Sequence, residues 1–116
     1  MFGHNISSNM TQRLKISANK IKKIYIKDLF TEEIKELEIS MGITVKQLKK
    51  EIEKLFKLNY SLDNYTLRVM NNGMHSVKII CEDDENKTLF QNHFHSECLV
   101  IFGREYPKGG GPSYVK

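Results

Sequence analysis

Apolar and polar residues alternate through residues 20–40, and the period then changes. In KIKKIYIKDLF, Ile24 and Ile26 fall on one side and Lys23, Tyr25 and Lys27 on the other, which predicts a half-buried strand over residues 22–29. Phe30-Thr31-Glu32-Glu33 predicts a turn. The run IKELEIS alternates again with Leu37 and Ile39 towards the core, so the two strands form a hairpin. After Gly42 the spacing lengthens: Val45, Leu48, Ile52 and Leu55 recur at steps of three and four, and TVKQLKKEIEKLFKL predicts one amphipathic helix over residues 44–58. Thr44 and Gln47 form a capping-box pair, and Ile43 with Leu48 is placed as a hydrophobic staple. The opposite face carries Lys46, Lys49, Lys50, Glu53, Lys54 and Lys57. It predicts a solvated stripe in which Lys49–Glu53 and Glu53–Lys57 pair across one turn.

Beyond the helix, YTLRVM over residues 65–70 predicts a third strand with Leu67 and Val69 buried. Asn71-Asn72-Gly73 is a turn signal. VKIIC over residues 77–81 predicts a short fourth strand, ended by the acidic run Glu82-Asp83-Asp84-Glu85. KTLFQNHF suits a single helical turn that inserts Leu89 and Phe94 beneath the sheet. CLVIF, residues 98–102, is the most continuous apolar run and predicts a central inner strand covered on both faces. Residues 1–19 carry no buried face, and PKGGGPSYVK, residues 107–116, holds three consecutive glycines. Both ends are expected to be flexible around one folded domain over residues 20–106.

At 116 residues and a net charge of +4 the chain has room for one core. The excess charge is local, because residues 1–27 contain Arg13, Lys15, Lys20, Lys22, Lys23 and Lys27 and no acid. A solvated arm is the expectation. Tyr25 is the only aromatic residue among the cations from Lys20 to Lys27, so no stacking platform for nucleic acid is legible. Cys81 and Cys98 make no C-x-x-C pair, and no apolar run is long enough for a membrane helix or a secretion signal. An intracellular protein, cytoplasmic or nuclear and monomeric, is expected. The N-x-S/T sequons at Asn5, Asn9, Asn59, Asn64 and Asn86 are then coincidences of an Asn-rich chain.

Strand, strand, helix, strand, short strand, helical turn and final strand is an order that resembles the ubiquitin-like β-grasp superfamily. From Ile39 to Ile52 the pattern ISMGITVKQLKKEI looks like the ubiquitin segment joining the second strand to the helix. The resemblance covers about residues 22–104. It implies an α+β fold in which a mixed sheet of four to five strands wraps one main helix, with Ile39, Val45, Leu48 and Ile52 in the core. It also implies that Lys49 is buried against the helix end. Thr88-Leu89 matches the start of the family's short helical turn, and Leu99 and Ile101 match the inward residues of its last strand. The longer segment over residues 71–87, followed by KTLF and ECLVIF, is similar to the ubiquitin-like domains of tubulin-folding cofactors.

Ubiquitin meets most partners through an exposed apolar patch, whose positions resemble Leu29, Arg68 and Phe102 here, with Val100 near the patch histidine. A cation at the centre implies a different partner, another protein with an acidic surface, and a non-catalytic interaction module. The resemblance carries an alternative, a modifier processed at Gly109, Gly110 or Gly111 and joined to lysines. Against it, the glycines fall later than the family's tail places them, Pro107 interrupts the arm, and Pro112 would follow a cut after Gly111.

Other constellations are weaker. Glu82 to Glu85 beside one strand, with Lys23 and Lys27 on another, resembles the acidic-loop and basic-strand pairing of Phox/Bem-type domains, but too few residues separate the turn from the last strand for their second helix. A solvated acidic turn is expected. His93, His95 and Cys98 have metal-capable atoms, with only His75 as a fourth, so no metal and no cofactor is assigned. Cys98 near His95 opens an apolar strand, which argues for packing or simple strand-edge exposure rather than a nucleophile. With no phosphate-binding loop and no nucleophile beside a base and its orienter, no catalytic residue is assigned.

Overall fold

The computed structural model describes residues 20–71 and 77–108 of the chain. The alternating first run forms β1 (Ile21–Asp28) and pairs antiparallel with β2 (Ile34–Ser40). Their turn closes with the Glu32 amide donating to the Asp28 carbonyl, and Glu32 takes a left-handed backbone with φ 64°. Helix α1 (Val45–Leu55) follows. Its capping box is complete: the Thr44 side chain accepts from the Gln47 amide, and the Gln47 side chain accepts from the Thr44 amide. Two further amides of the first turn, Val45 and Lys46, donate to the carbonyls of Lys87 and Glu85, so the helix start is stitched to a distant loop. The helix stops because Lys57 turns left-handed, with φ 52°. The Leu58 and Lys57 amides then bond back to the Glu53 and Lys54 carbonyls in a Schellman arrangement.

A 3-10 turn (Leu62–Asn64) leads to β3 (Arg68–Met70), which pairs with β4 (Lys78–Ile79) and with β5 (Leu99–Phe102). The sheet order is β2-β1-β5-β3-β4, with β1 and β5 parallel, so the apolar final run is central as expected. Between β4 and β5 the chain makes a 3-10 turn (Glu82–Asp84) and then the single turn that buries Leu89 and Phe94. That turn starts with a second capping box, in which Thr88 and Gln91 exchange the same two hydrogen bonds as Thr44 and Gln47. The two threonines form an isolated bridge, which places the two helical starts side by side.

The core lies between the sheet and α1. Ile24, Ile26, Val69, Val100 and Phe102 come from the sheet and Val45, Leu48 and Ile52 from the helix. One inner row, Lys35–Ile26–Val100–Val69–Lys78, ends in a lysine at each edge. Lys35 Nζ donates to the Leu55 carbonyl at the end of α1, and Lys78 Nζ to the Asn92 carbonyl. Their stems close the core while the charges discourage a further strand at either edge. Thr44→Ala is expected to cost about 1 kcal/mol, read by thermal or urea unfolding. No helix among the described residues is long and apolar enough to cross a membrane.

Candidate functional site

The face of the sheet turned away from α1 is organised in two rows. Ile34, Lys27, Ile101, Arg68 and Ile79 lie side by side across all five strands. Next to them run Glu36, Tyr25, Leu99 and Met70. The middle positions, Lys27, Ile101, Arg68, Tyr25, Leu99 and Met70, are half-buried, while Ile34 and Ile79 at the edges are exposed.

This registry corrects the expected phase of the last strand. Val100 and Phe102, expected on the surface, are fully buried, and Leu99 and Ile101, expected inward, face out. The parallel pairing decides it. Ile26 stands opposite Val100 and Lys27 opposite Ile101, so β5 must share the in-and-out order of β1. Phe102 packs edge-on against Phe56, with ring centres 4.9 Å apart. Arg68 stays on the outer side, and Leu29, just past the end of β1, is half-buried. The Leu29 amide donates to the Phe102 carbonyl, and a Cβ on the buried Gly103 would come within 3.2 Å of Leu29 Cβ.

Arg68 is held rather than free. Its guanidinium carbon lies 3.7 Å from the centre of the Tyr106 ring, and its Nε is buried without a hydrogen-bond partner. Tyr106 is fixed in turn, because its carbonyl accepts from the Thr66 amide and hydroxyl. Pro107 bridges to Tyr65 and the Lys108 amide donates to the Asn64 carbonyl, so these two residues, placed in the flexible tail by the sequence, are fastened along residues 64–66. Gly109, Gly110 and Gly111 lie outside the described residues.

Two further expectations change. Lys49, placed by periodicity on the solvated stripe and by the resemblance in the interior, is fully buried. Its Nζ donates to Glu85 Oε2 at 2.7 Å and to the Tyr65 carbonyl. Glu85 is therefore no part of a solvated acidic turn. It too is buried, and its other oxygen lies 2.8 Å from Lys108 Nζ, close in charge but without the alignment of a hydrogen bond. Burial drives the Lys49 pKa below lysine's ordinary value, outweighing the opposing pull of Glu85, and Lys108 adds to the drop. Glu53 pairs neither with Lys49 nor with Lys57; its Oε2 accepts from the Leu62 amide at 2.7 Å and anchors the loop after α1.

His93 sits in a left-handed turn, and Asn71 ties its carbonyl to the His95 amide. Both histidines are exposed, whereas Cys98 is buried. Among the described residues no three His, Cys, Asp or Glu side chains gather to hold a metal ion. Burial pushes the Cys98 thiol up to about 11, so at neutral pH it is a packed thiol rather than a nucleophile.

No protein-family model matches this chain, and no curated protein matches it by sequence. Solved structures do. The C-terminal ubiquitin-like domain of mouse tubulin-specific chaperone e superposes with a TM-score of 0.63 at 15% identity, over 81% of this chain and 96% of that one. A ubiquitin-like domain from tubulin-binding cofactor B gives 0.59 at 17% identity, over 72% and 88%. A structure described as molecular mimicry of SUMO that promotes DNA repair gives 0.52 at 19% identity, over 72% and 90%. At such identities the likeness speaks for the fold alone. With five strands in the order β2-β1-β5-β3-β4 around one helix, and these likenesses, the chain has the ubiquitin-like β-grasp fold of its α+β class.

Proposed function

We propose that this chain is a non-catalytic protein–protein interaction module that recognises its partner through the outer face of the sheet. The observation that carries the reading is the row Ile34–Lys27–Ile101–Arg68–Ile79, apolar and cationic by turns across the whole sheet. Leu29, Met70, Leu99 and Ile101 supply apolar contact. Lys27 and Arg68 between them select a partner with acidic side chains, because burying an unpaired cation would penalise a neutral one. Val100 and Phe102 act only by supporting this face from beneath. Stacking on Tyr106 holds the Arg68 guanidinium ready, so little side-chain freedom is lost when a carboxylate meets it. The exposed free Cys81 is in keeping with a reducing intracellular setting.

The modifier reading is the less favoured one. Lys108, immediately before Gly109, is held by the hydrogen bond its amide donates to the Asn64 carbonyl and by its ion pair with Glu85. An arm threaded into a conjugating enzyme would first have to give these up.

The test is affinity capture with the wild-type chain, a Lys27→Glu/Arg68→Glu/Ile101→Glu variant, and Lys54→Glu on the exposed side of α1 as control. The sheet variant is expected to weaken the principal partner at least about 30-fold, the scale of a hot spot, and the helix variant to leave it unchanged. Equal capture by folded wild type and sheet variant overturns the proposal.

A further inference from the structure

A cleft whose lining includes no residue of the two outer rows opens at the end of β1. Where the β1–β2 turn, the loop after α1 and the segment following β5 meet, Asp28, Phe30, Tyr60, Arg104 and Glu105 enclose a cleft of about 310 Å³. Phe30 is 82% exposed, the most exposed large apolar residue among those described. The turn does not need its ring: the local hydrogen bonds run from the Phe30 amide to Asp28 Oδ1 and between backbone groups of Asp28, Glu32 and Glu33. Across the cleft the Arg104 guanidinium carbon sits 4.3 Å from the centre of the Tyr60 ring. That ring face therefore already accepts a guanidinium. Two carboxylates against one cation leave the lining net negative. Burial, and next the Asp28 carboxylate, hold the Tyr60 phenol above its ordinary pKa, so the ring is neutral at physiological pH.

We propose that this cleft binds an arginine side chain of a partner polypeptide, stacked on Tyr60 beside Phe30 with Asp28 and Glu105 as counter-charges, and that Arg104 is the internal occupant it displaces. The guanidinium plane suits both the ring and the carboxylates, which accept two parallel N–H bonds; a lysine ammonium offers neither match. Displacement also sets Arg104 free to swing to solvent, so the site is closed by its own chain until a partner arginine competes for it. None of the cleft's lining residues belongs to the row proposed for the sheet-face partner.

The test is an NMR titration of the isotopically labelled chain with acetyl-Ala-Arg-Ala-amide, and with the lysine and glutamate peptides of the same length. The arginine peptide is expected to shift signals of residues 28–30, 60 and 104–105 saturably. Phe30→Ala and Glu105→Gln, both at exposed positions, should each weaken it by about threefold to tenfold. Arg104→Ala should tighten it by a similar factor, because it vacates the ring and removes a repelling charge. Absence of saturable shifts at these residues, an equal response to the lysine peptide, or an Arg104→Ala variant that binds no better overturns the proposal.

Discussion

Phe102→Ala is expected to lower the free energy of unfolding by about 3–5 kcal/mol, a large part of the total for a domain of this size. The residue is fully buried, sits at the end of the central strand and meets Phe56 of the α1 terminus edge-on, so truncation leaves a cavity between sheet and helix. Ile101→Ala, one position away, removes a half-exposed side chain from the opposite face and should cost about 1 kcal/mol or less. Urea unfolding of the two variants measures the phase of β5 without any partner. The reverse order of costs would mean that Val100 and Phe102 face solvent and that the outer face is composed differently.

The second large effect lies in the buried charges. Glu85→Gln should destabilise by about 3–5 kcal/mol, because Lys49 would remain in the interior with its counter-charge gone. The double variant Lys49→Met/Glu85→Gln should recover much of that loss, since neither buried charge remains. Lys108→Ala, which removes the outer member of the trio and loosens the segment after β5, should cost less than Glu85→Gln. The trio also gives a pH signature. With its pKa lowered by burial, Lys49 binds fewer protons in the folded chain than in the unfolded one across the alkaline range between the two values. Stability therefore rises with pH in that window, as far as lysine's ordinary value. Wild type should gain on Lys49→Met between neutral pH and about 10, where unfolded-state lysines titrate. A constant gap would show that Lys49 keeps an ordinary pKa in the fold.

The architecture was legible where the sequence carries phase as well as composition. Lys23, Tyr25 and Lys27 interleave with Ile24 and Ile26, so β1 announces which side is buried, and Thr44 with Gln47 marks the start of α1. CLVIFG has no polar residue to mark its outer side. A slip of one residue inverts the whole strand, and only its pairing with β1 settles the matter. Glu85 was hidden for a related reason. An acidic run reads as solvent, and the lysine that draws this member inward is 36 residues away in sequence. The second capping box is legible by the same rule as the first: Thr88-Leu89-Phe90-Gln91 has the spacing of Thr44 to Gln47, and it sets the turn that carries Leu89 into the core. The cleft around Tyr60 joins three segments far apart in the chain, so no local pattern foretells it.

The proposed recognition runs through the outer sheet face. Its most direct test is a methyl NMR spectrum of the labelled chain, alone and bound to the principal partner that the wild-type chain captures. Selective shifts or broadening at Leu29, Met70, Leu99 and Ile101, with Leu48, Ile52 and Leu55 of α1 unmoved, is the predicted result. Perturbation centred on Leu55 and Leu58 with those four methyl sets unchanged would contradict it.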